Sequence, residues 1–585
     1  MYLNCKIKIP DTGGKITIKP VNGTPYVYLE QGRTYNKEKK YNVPKRICIG
    51  KQDTEQKAFM YPNEKFLKFF PRELLPFEKD TRFRSGCLHI GSFIVIRKII
   101  SDYHLDEMIG RIIGQDAGLF LDLAAYSIIT EDNAGQYYPD YAYNHALFTD
   151  SMRIYSDSKV SDFLQEVTID QRIKFLNEWN AKRDHREKIY ISYDATNKKS
   201  QAGDIDMIEL GHSKSGIQED IFNYSIAYDR SNREPLYYES YPGSIPDISQ
   251  FRHTLTKAKS YGYEHLGFIL DRGYFCKENI EFMDENKFDF VLMVNGMKNL
   301  VSEIILEVQG AFENDRRNSI RAFKVSGTTV KRKLYATDKK ERYFHIYYDD
   351  ARKARDRDAF EEKIDRMKRK LKECMGEPIH PGGEYKKYFD LIFWHEDQED
   401  EKFMSGAERF DVINHDIRLC GYFAIVTSEK MTATDALFLY KSRDESEKTF
   451  RGDKSYLGAQ AERVYSNESV ETKIFIGFVA TIIRSRIYVL LREEIARMEK
   501  KQNYMTVPAA LKELEKIEIL KGADGEYNLD YAVTATQKAI LKAFDMTADN
   551  IHNQAREISS DLKRIEMEAI EAVARKAQVE ESVQQ

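Results

Sequence analysis

Two aspartates close apolar runs in this chain of 585 residues. Asp194 follows Ile189-Tyr190-Ile191-Ser192-Tyr193, and Asp271 follows Leu266-Gly267-Phe268-Ile269-Leu270. A carboxylate at the end of a buried strand needs a partner, because taking a charge out of water is costly. Two such groups in one sheet can converge on a hard cation, and Mg²⁺ takes carboxylates together with phosphate oxygens. A pair of metals about 3.5–4 Å apart can activate an attacking oxygen and stabilise a leaving one. Ordinary polar strand ends or helix N-caps are the competing reading. Asp271, placed before Arg272-Gly273-Tyr274, would also suit a turn.

A second constellation lies at Tyr440, Arg443, Glu447 and Lys454. At about 100° per residue these spacings fall within roughly 60° of one another, which predicts one helical stripe. A stripe of phenol, guanidinium, carboxylate and ammonium is unusual for a core face. It suits a phosphodiester, with the carboxylate holding metal and the cations holding phosphate oxygens. A solvated, salt-bridged face is the bland alternative, and Gly452 inside the span would loosen a helix before Lys454.

The spacing Tyr-x2-Arg-x3-Glu-x6-Lys resembles the YREK motif of DDE transposases in bacterial insertion-sequence family four. Tyr193-Asp194-Ala195-Thr196-Asn197 and Leu270-Asp271-Arg272-Gly273-Tyr274 resemble the blocks that hold that family's first two catalytic aspartates. Gly211-His212-Ser213-Lys214 is similar to a block of a long-chain subgroup, the sixteen-thirty-four-like group. The chain departs from that subgroup at Ser215 and at Gln218-Glu219-Asp220, where an Asp and then a Pro-Asp pair are usual. The resemblance covers about 185–500 well and the remainder weakly.

The resemblance implies an RNase-H-like catalytic core in which Asp194, Asp271 and Glu447 are catalytic and bind two Mg²⁺, with Mn²⁺ as a substitute. It implies hydrolysis of one strand at the element end, attack by the freed 3′-hydroxyl, a hairpin that is reopened, and joining to target DNA. Tyr440, Arg443 and Lys454 would grip phosphates. Relatives hold a flipped base on an insertion-domain Trp, which makes Trp394 a weak candidate beside a core-packing reading. The implied partners are double-stranded DNA, as terminal inverted repeats and target, and a second copy of the chain as a homodimer. The implied setting is the bacterial cytoplasm, on the nucleoid. An inactive or domesticated DNA-binding relative and an RNase-H-like nuclease without strand transfer are the alternatives.

The elements that must position these residues are legible in outline. Residues 1–80 read as a basic, β-rich N-terminal region, a possible DNA contact, with strands at Thr24–Leu29 and Arg46–Ile49. Residues 81–185 carry a helical period through Ile94, Ile96, Ile99, Ile100, Leu105, Met108, Ile109 and Ile112, with Trp179 read as core. Residues 186–296 alternate strand and helix, the first part of an α/β core with covered faces. Residues 297–427 break that rhythm and read as a β-rich insertion domain, with turns at Gly327-Thr328 and Asp338-Lys339 and strands near 385–396, 408–415 and 420–427. Residues 428–500 return to the core as helices at 432–448 and 470–500. The tail, 501–585, is helical, and its amphipathic run 547–579 could pack in cis or dimerise. The fold class is therefore α/β, a core interrupted by a β-rich insertion, with a β-rich front and helical flanking parts.

Composition sets outer limits. The chain is 42% hydrophobic and 31% charged, with a mean hydropathy of -0.58, so it can bury a large core. Length suggests about three to five units at roughly 100–200 residues each. The longest apolar run, Ile474–Ile483, is short of the about 20 residues of a membrane helix, and no secretory pattern is seen. Six scattered cysteines fit a reducing compartment better than a disulfide or zinc framework. The net charge of -4 does not announce a nucleic-acid protein, yet residues 1–60 hold 12 Lys/Arg against 5 Asp/Glu, and 351–377 hold 10 against 7. No Gly-x-Gly-x-x-Gly and no Walker loop supports an oxidoreductase or kinase.

Overall fold

The computed structural model describes the whole chain except residues 1–5, 13–14, 22–23, 37–39, 55, 71–83, 184–186, 201–204, 213–217, 295–297, 395–401, 444–460, 463, 499–501, 523–525 and 583–585. The chain gathers into two compact units, Met1–Ser85 and Gly86–Gln585. The first is a five-stranded antiparallel sheet in the order Ile7–Lys8, Phe59–Pro62, Tyr41–Gln52, Thr24–Asn36, Ile16–Val21. Its small core joins Val27, Leu29, Ile49, Met60 and Phe66.

The second unit is built on a mixed sheet of eleven strands among the described residues. Its main strands are numbered here along the chain: β1 Ile189–Ser200, β2 Gln218–Asp229, β3 Glu234–Pro242, β4 Leu266–Leu270, β5 Asp289–Met293, β6 Val325–Lys333, β7 Glu341–Tyr348 and β8 Tyr422–Thr427. Their spatial order is β3-β2-β1-β4-β5-β8-β7-β6. β1, β2 and β3 are antiparallel neighbours, β1, β4 and β5 run parallel, and β8, β7 and β6 continue antiparallel. The parallel strands are apolar because both their faces are covered, and all five residues of β4 are buried. Gly267 is needed there: a Cβ would stand 2.4 Å from Cε1 of Tyr190 on β1.

Segment 297–427 therefore gives four strands to the same sheet, β6, β7, β8 and the short Ser319–Ile320 beside β6. Only its middle forms a separate cluster, where Ile364, Met367 and Leu371 of a long helix, Asp350–Glu373, pack against the hairpin Phe389–Trp394/Lys402–Glu408. Two sequence expectations fail in this region. Gly327-Thr328 lies inside β6 rather than in a turn, because Gly327 makes room for the Tyr347 ring. Residues Phe410–Arg418 are a helix rather than a strand, since the pair Ile413 and Ile417 turns towards that same cluster.

One face of the sheet is covered by the helical segment before β1 and by the helix Asn467–Arg497, buried on nearly every side. By length and composition, Leu105–Thr130 and Asn467–Arg497 could each cross a membrane; both are mostly buried inside the fold, as core helices are. The C-terminal helix Ala548–Ser582 packs in cis through Ile551, Ala555, Ile558 and Leu562.

His345 sits fully buried where β7 meets β6 and β8. Thr427 Oγ donates to the Glu429 carbonyl, so it accepts from His345 Nε2 at 3.0 Å, and Nδ1 is left to accept from Thr329 at 2.9 Å. That network satisfies the neutral ring, and burial pushes its pKa down to about 4. A depressed histidine binds its proton first in the unfolded chain, so stability falls as pH drops through 6.5 and levels off below about 4. The difference amounts to about 3 kcal/mol. We expect denaturant titrations between pH 7 and 4 to show His345→Gln losing about that much less stability than wild type. Parallel pH curves would disprove it.

Candidate functional site

The register of β4 on β1 decides what the first two aspartates can do together. Leu266 pairs with Ile189 and Ile269 with Ser192, a constant offset of 77 residues. Asp271 and Asp194 are separated by the same number, so each lies two residues beyond the last pair of this ladder, Ile269↔Ser192, on neighbouring chains of the sheet. Neighbouring strands lie about 4.8 Å apart, a spacing at which two carboxylates can share a cation. One detail differs from expectation. Asp194 does not end its strand: β1 runs on to Ser200, because β2 stays paired with it through Lys199↔Ile221. Only the backbone of Asp194 is among the described atoms.

Asp271 follows β4 directly. Its side chain accepts from the Arg272 N–H at 2.7 Å and caps the short helical turn Arg272–Tyr274, while remaining 43% exposed. It is thus both the turn aspartate and an accessible carboxylate.

Arg443 is delivered to Asp271 by a helix on the other face of the sheet, α1, Ala433–Lys441. Thr432 caps its start by accepting from Asp435 N, and Tyr347 of β7 ties it down by donating to the Ala433 carbonyl at 2.7 Å. Leu437, Leu439 and Tyr440 then bury against Ile269, Val291, Val325 and Ile425. The helix ends at Lys441, and Arg443 just beyond it reaches Asp271 Oδ1 with Nη1 at 3.0 Å. Its guanidinium carbon stands 5.5 Å from the centre of the Tyr440 ring.

Ser442 caps α1 with a right-handed helical backbone and Arg443 is again helical, so Tyr440 and Arg443 keep the helical spacing expected of them. Tyr440 is 5% exposed and seats Arg443 rather than facing solvent. Glu447 and Lys454 lie outside the described residues, as do Ser213 and Lys214. Among the described residues no group of three or more His, Cys, Asp or Glu is gathered into a metal site. Of the three proposed ligands only Asp271 has a described side chain. The partly exposed Asp271 carboxylate fits a divalent cation chemically.

Trp394 is not core. It is 46% exposed at the end of the strand Phe389–Trp394, where alternation turns Phe389, Leu391 and Phe393 inward and Ile392 and Trp394 outward. No described contact joins it to Asp271.

Sequence comparison places this geometry. No curated protein matches the chain. Among solved structures, a piggyBac transposase synaptic complex with hairpin DNA overlaps with a TM-score of 0.31 and 8% identity, over 82% of this chain and 75% of that one; so faint a likeness decides nothing about the fold or site. Residues 194–483 match the transposase DDE domain family. The matched span begins at Asp194 and takes in Asp271 and the whole 440–454 constellation, and this match supports a DDE transposase.

Proposed function

We propose that the chain is a DNA transposase of the insertion-sequence family four type, within its long-chain subgroup, that cuts and joins DNA at the ends of a mobile element. The observation that carries this reading is the offset of 77 between paired residues of β4 and β1, the same offset as that between Asp271 and Asp194, with Arg443 held on Asp271. The run of strands β1 to β5, three antiparallel and then two parallel to β1, supports an RNase-H-like core.

Transposase DDE domains generally use divalent metal ions. Asp194, Asp271 and Glu447 would hold two Mg²⁺ here, or Mn²⁺. When bound, such ions neutralise phosphate charge and activate the attacking oxygen. The protein's own part is positioning and charge. Arg443 would exchange its carboxylate partner for a phosphate oxygen of the element end, Tyr440 would keep its guanidinium aimed, and Lys454 would take a second phosphate. Strand hydrolysis is followed by attack of the freed 3′-hydroxyl on the other strand to form a hairpin, by a second hydrolysis that reopens the hairpin and restores a 3′-hydroxyl, and then by attack of that hydroxyl on target DNA. The exposed Trp394 supports a stacking surface for a base swung out on that route. Bridging two terminal inverted repeats requires a homodimer, acting in the cytoplasm on nucleoid DNA.

The test is a Mg²⁺-dependent cleavage and joining assay on a duplex carrying the element's own terminal repeat, with Glu447→Gln as control. We expect cut and joined products that vanish in the variant. Cutting without joining would indicate a nuclease. Binding with no cutting in Mg²⁺ or Mn²⁺ would indicate a DNA-binding relative.

A further inference from the structure

The strands that bring Asp271 to one end of the sheet open a second feature at the other end. A cleft of about 430 Å³ lies where β5 and β7 begin and β8 ends, lined by Asp284, Lys287, Asp289, Lys331, Lys340 and Arg342, with Glu341 beside them. Its carboxylates are already engaged. Asp284 is held by Arg342, Asp289 by Lys188 at 2.5 Å, and Glu341 by Lys331 at 3.2 Å. Lys287 and Lys340 are exposed, and neither makes an ion pair among the described residues. Arg342 is only 4% exposed and stacks on Phe290 at 5.4 Å, which makes it a fixed positive floor rather than a mobile arm.

The hairpin that forms one wall is strongly biased. Residues 331–342 hold Lys331, Arg332, Lys333, Lys339, Lys340 and Arg342 against Asp338 and Glu341, in a chain whose net charge is -4. A cationic two-stranded ribbon over a polar cleft, with lysines uncommitted on both walls, is the arrangement that holds phosphate oxygens. A small neutral ligand would gain nothing from it.

We propose that this cleft and its hairpin are a contact for the phosphate backbone of duplex DNA, separate from the carboxylate end. The choice of DNA over another polyanion rests on the transposase reading; the charge arrangement stands without it. The contact would be indifferent to sequence, because phosphates position DNA and do not specify it. It suits flanking or target DNA held while the element end is worked on across the sheet.

The test uses the full chain in EDTA, so that binding is read without cleavage. A random duplex of about 40 base pairs is titrated by fluorescence anisotropy over a salt series, for wild type and for the triple variant Lys287→Ala/Lys331→Ala/Lys340→Ala. Each lost phosphate contact should lower the log–log salt slope by about 0.9, so loss of the unpaired Lys287 and Lys340, with Lys331 shared with Glu341, should remove about two units of slope and about tenfold or more in affinity near 100 mM salt. All three lysines are surface groups, and circular dichroism and melting should match wild type. A charge-reversal pair, Lys287→Glu/Lys340→Glu, should weaken binding further. Unchanged affinity and slope in a folded variant would overturn the proposal. A wild type that binds through these lysines but cuts nothing in Mg²⁺ would support the cleft and sink the chemistry. A wild type that cuts while the variant binds normally would sink the cleft alone.

Discussion

Asp271→Asn should abolish DNA cleavage, by on the order of 10³-fold or more, while leaving the protein folded and bound to DNA; such a loss is about 4 kcal/mol of transition-state stabilisation. The substitution is close to isosteric. An asparagine carbonyl can still accept from Arg272 N, so the cap on the turn Arg272–Tyr274 survives. What disappears is the negative charge, and with it the capacity to hold a divalent cation beside Asp194. The ion pair with Arg443 also goes, but Asp271 is 43% exposed, and pairs of that kind contribute about 0–1 kcal/mol to stability. Removing one negative charge beside Arg443 lowers the local repulsion of phosphate, so affinity for DNA should hold or rise. Single-turnover cleavage and anisotropy on the same preparations separate the two effects. Cleavage within tenfold of wild type would remove Asp271 from the site. Equal losses of binding and cutting would make it a structural residue.

The parts of this site that could be read from sequence were those fixed by local chemistry. Apolar runs ending at residues 193 and 270 marked two strands, and the separation of 77 proves to be their register. What sequence could not supply was pairing. Asp194 looked like a strand end because the run after it turns polar, yet β2 keeps pairing along Ala195–Lys199. Helical periodicity put Tyr440 and Arg443 on one continuous stripe. The element ends at Lys441 with a single turn residue before Arg443, and the two side chains meet as a ring and the guanidinium above it. The apolar neighbours of Trp394 leave a core reading and a weak base-stacking reading both open, but strand alternation decides exposure, and it falls on the outer face. The basic hairpin 331–342 was visible as a run of charges. Its meaning depends on Lys287, which is brought to the opposite wall only when β5 joins β8 and β7.

These misreadings share a cause. Segment 297–427 was separated from the core because its strand–helix rhythm differs. Sheets are assembled by edge pairing, however, and rhythm along the chain does not record which edges meet. β8 pairs β5 on one side and β7 on the other, so sequence-distant strands become one surface. Helix α1 lies on that surface, with Val325 of β6 and Ile425 of β8 among its supports for Tyr440. The position of Arg443 at Asp271 thus depends on strands from the intervening segment as well as on the core itself.

The seam between the helical segment and the sheet gives the largest expected effect on stability. Trp179 is fully buried at the end of the helix Ile169–Ala181 and donates from its indole N–H to the Pro235 carbonyl of β3 at 2.9 Å. Phe175 lies parallel to it, Tyr103 meets it edge-on, and the Arg183 guanidinium sits 3.5 Å from the ring centre. Arg183 is itself buried and pairs with Glu234 at 2.9 Å. Trp179→Ala would leave a cavity, an unpaired carbonyl and an arginine without its aromatic seat. Truncations of this kind cost about 3–5 kcal/mol. Trp179→Phe keeps one aromatic ring and loses the N–H and the rest of the indole, which should cost about 1–3 kcal/mol, less than the full truncation. Chemical denaturation followed by circular dichroism should order the three proteins as wild type, Phe, Ala. The emission of wild type should also lose its buried component in both variants, because the other tryptophan, Trp394, is the half-exposed one. An Ala variant within 1 kcal/mol of wild type would mean that the helical segment does not lean on β3 through this ring.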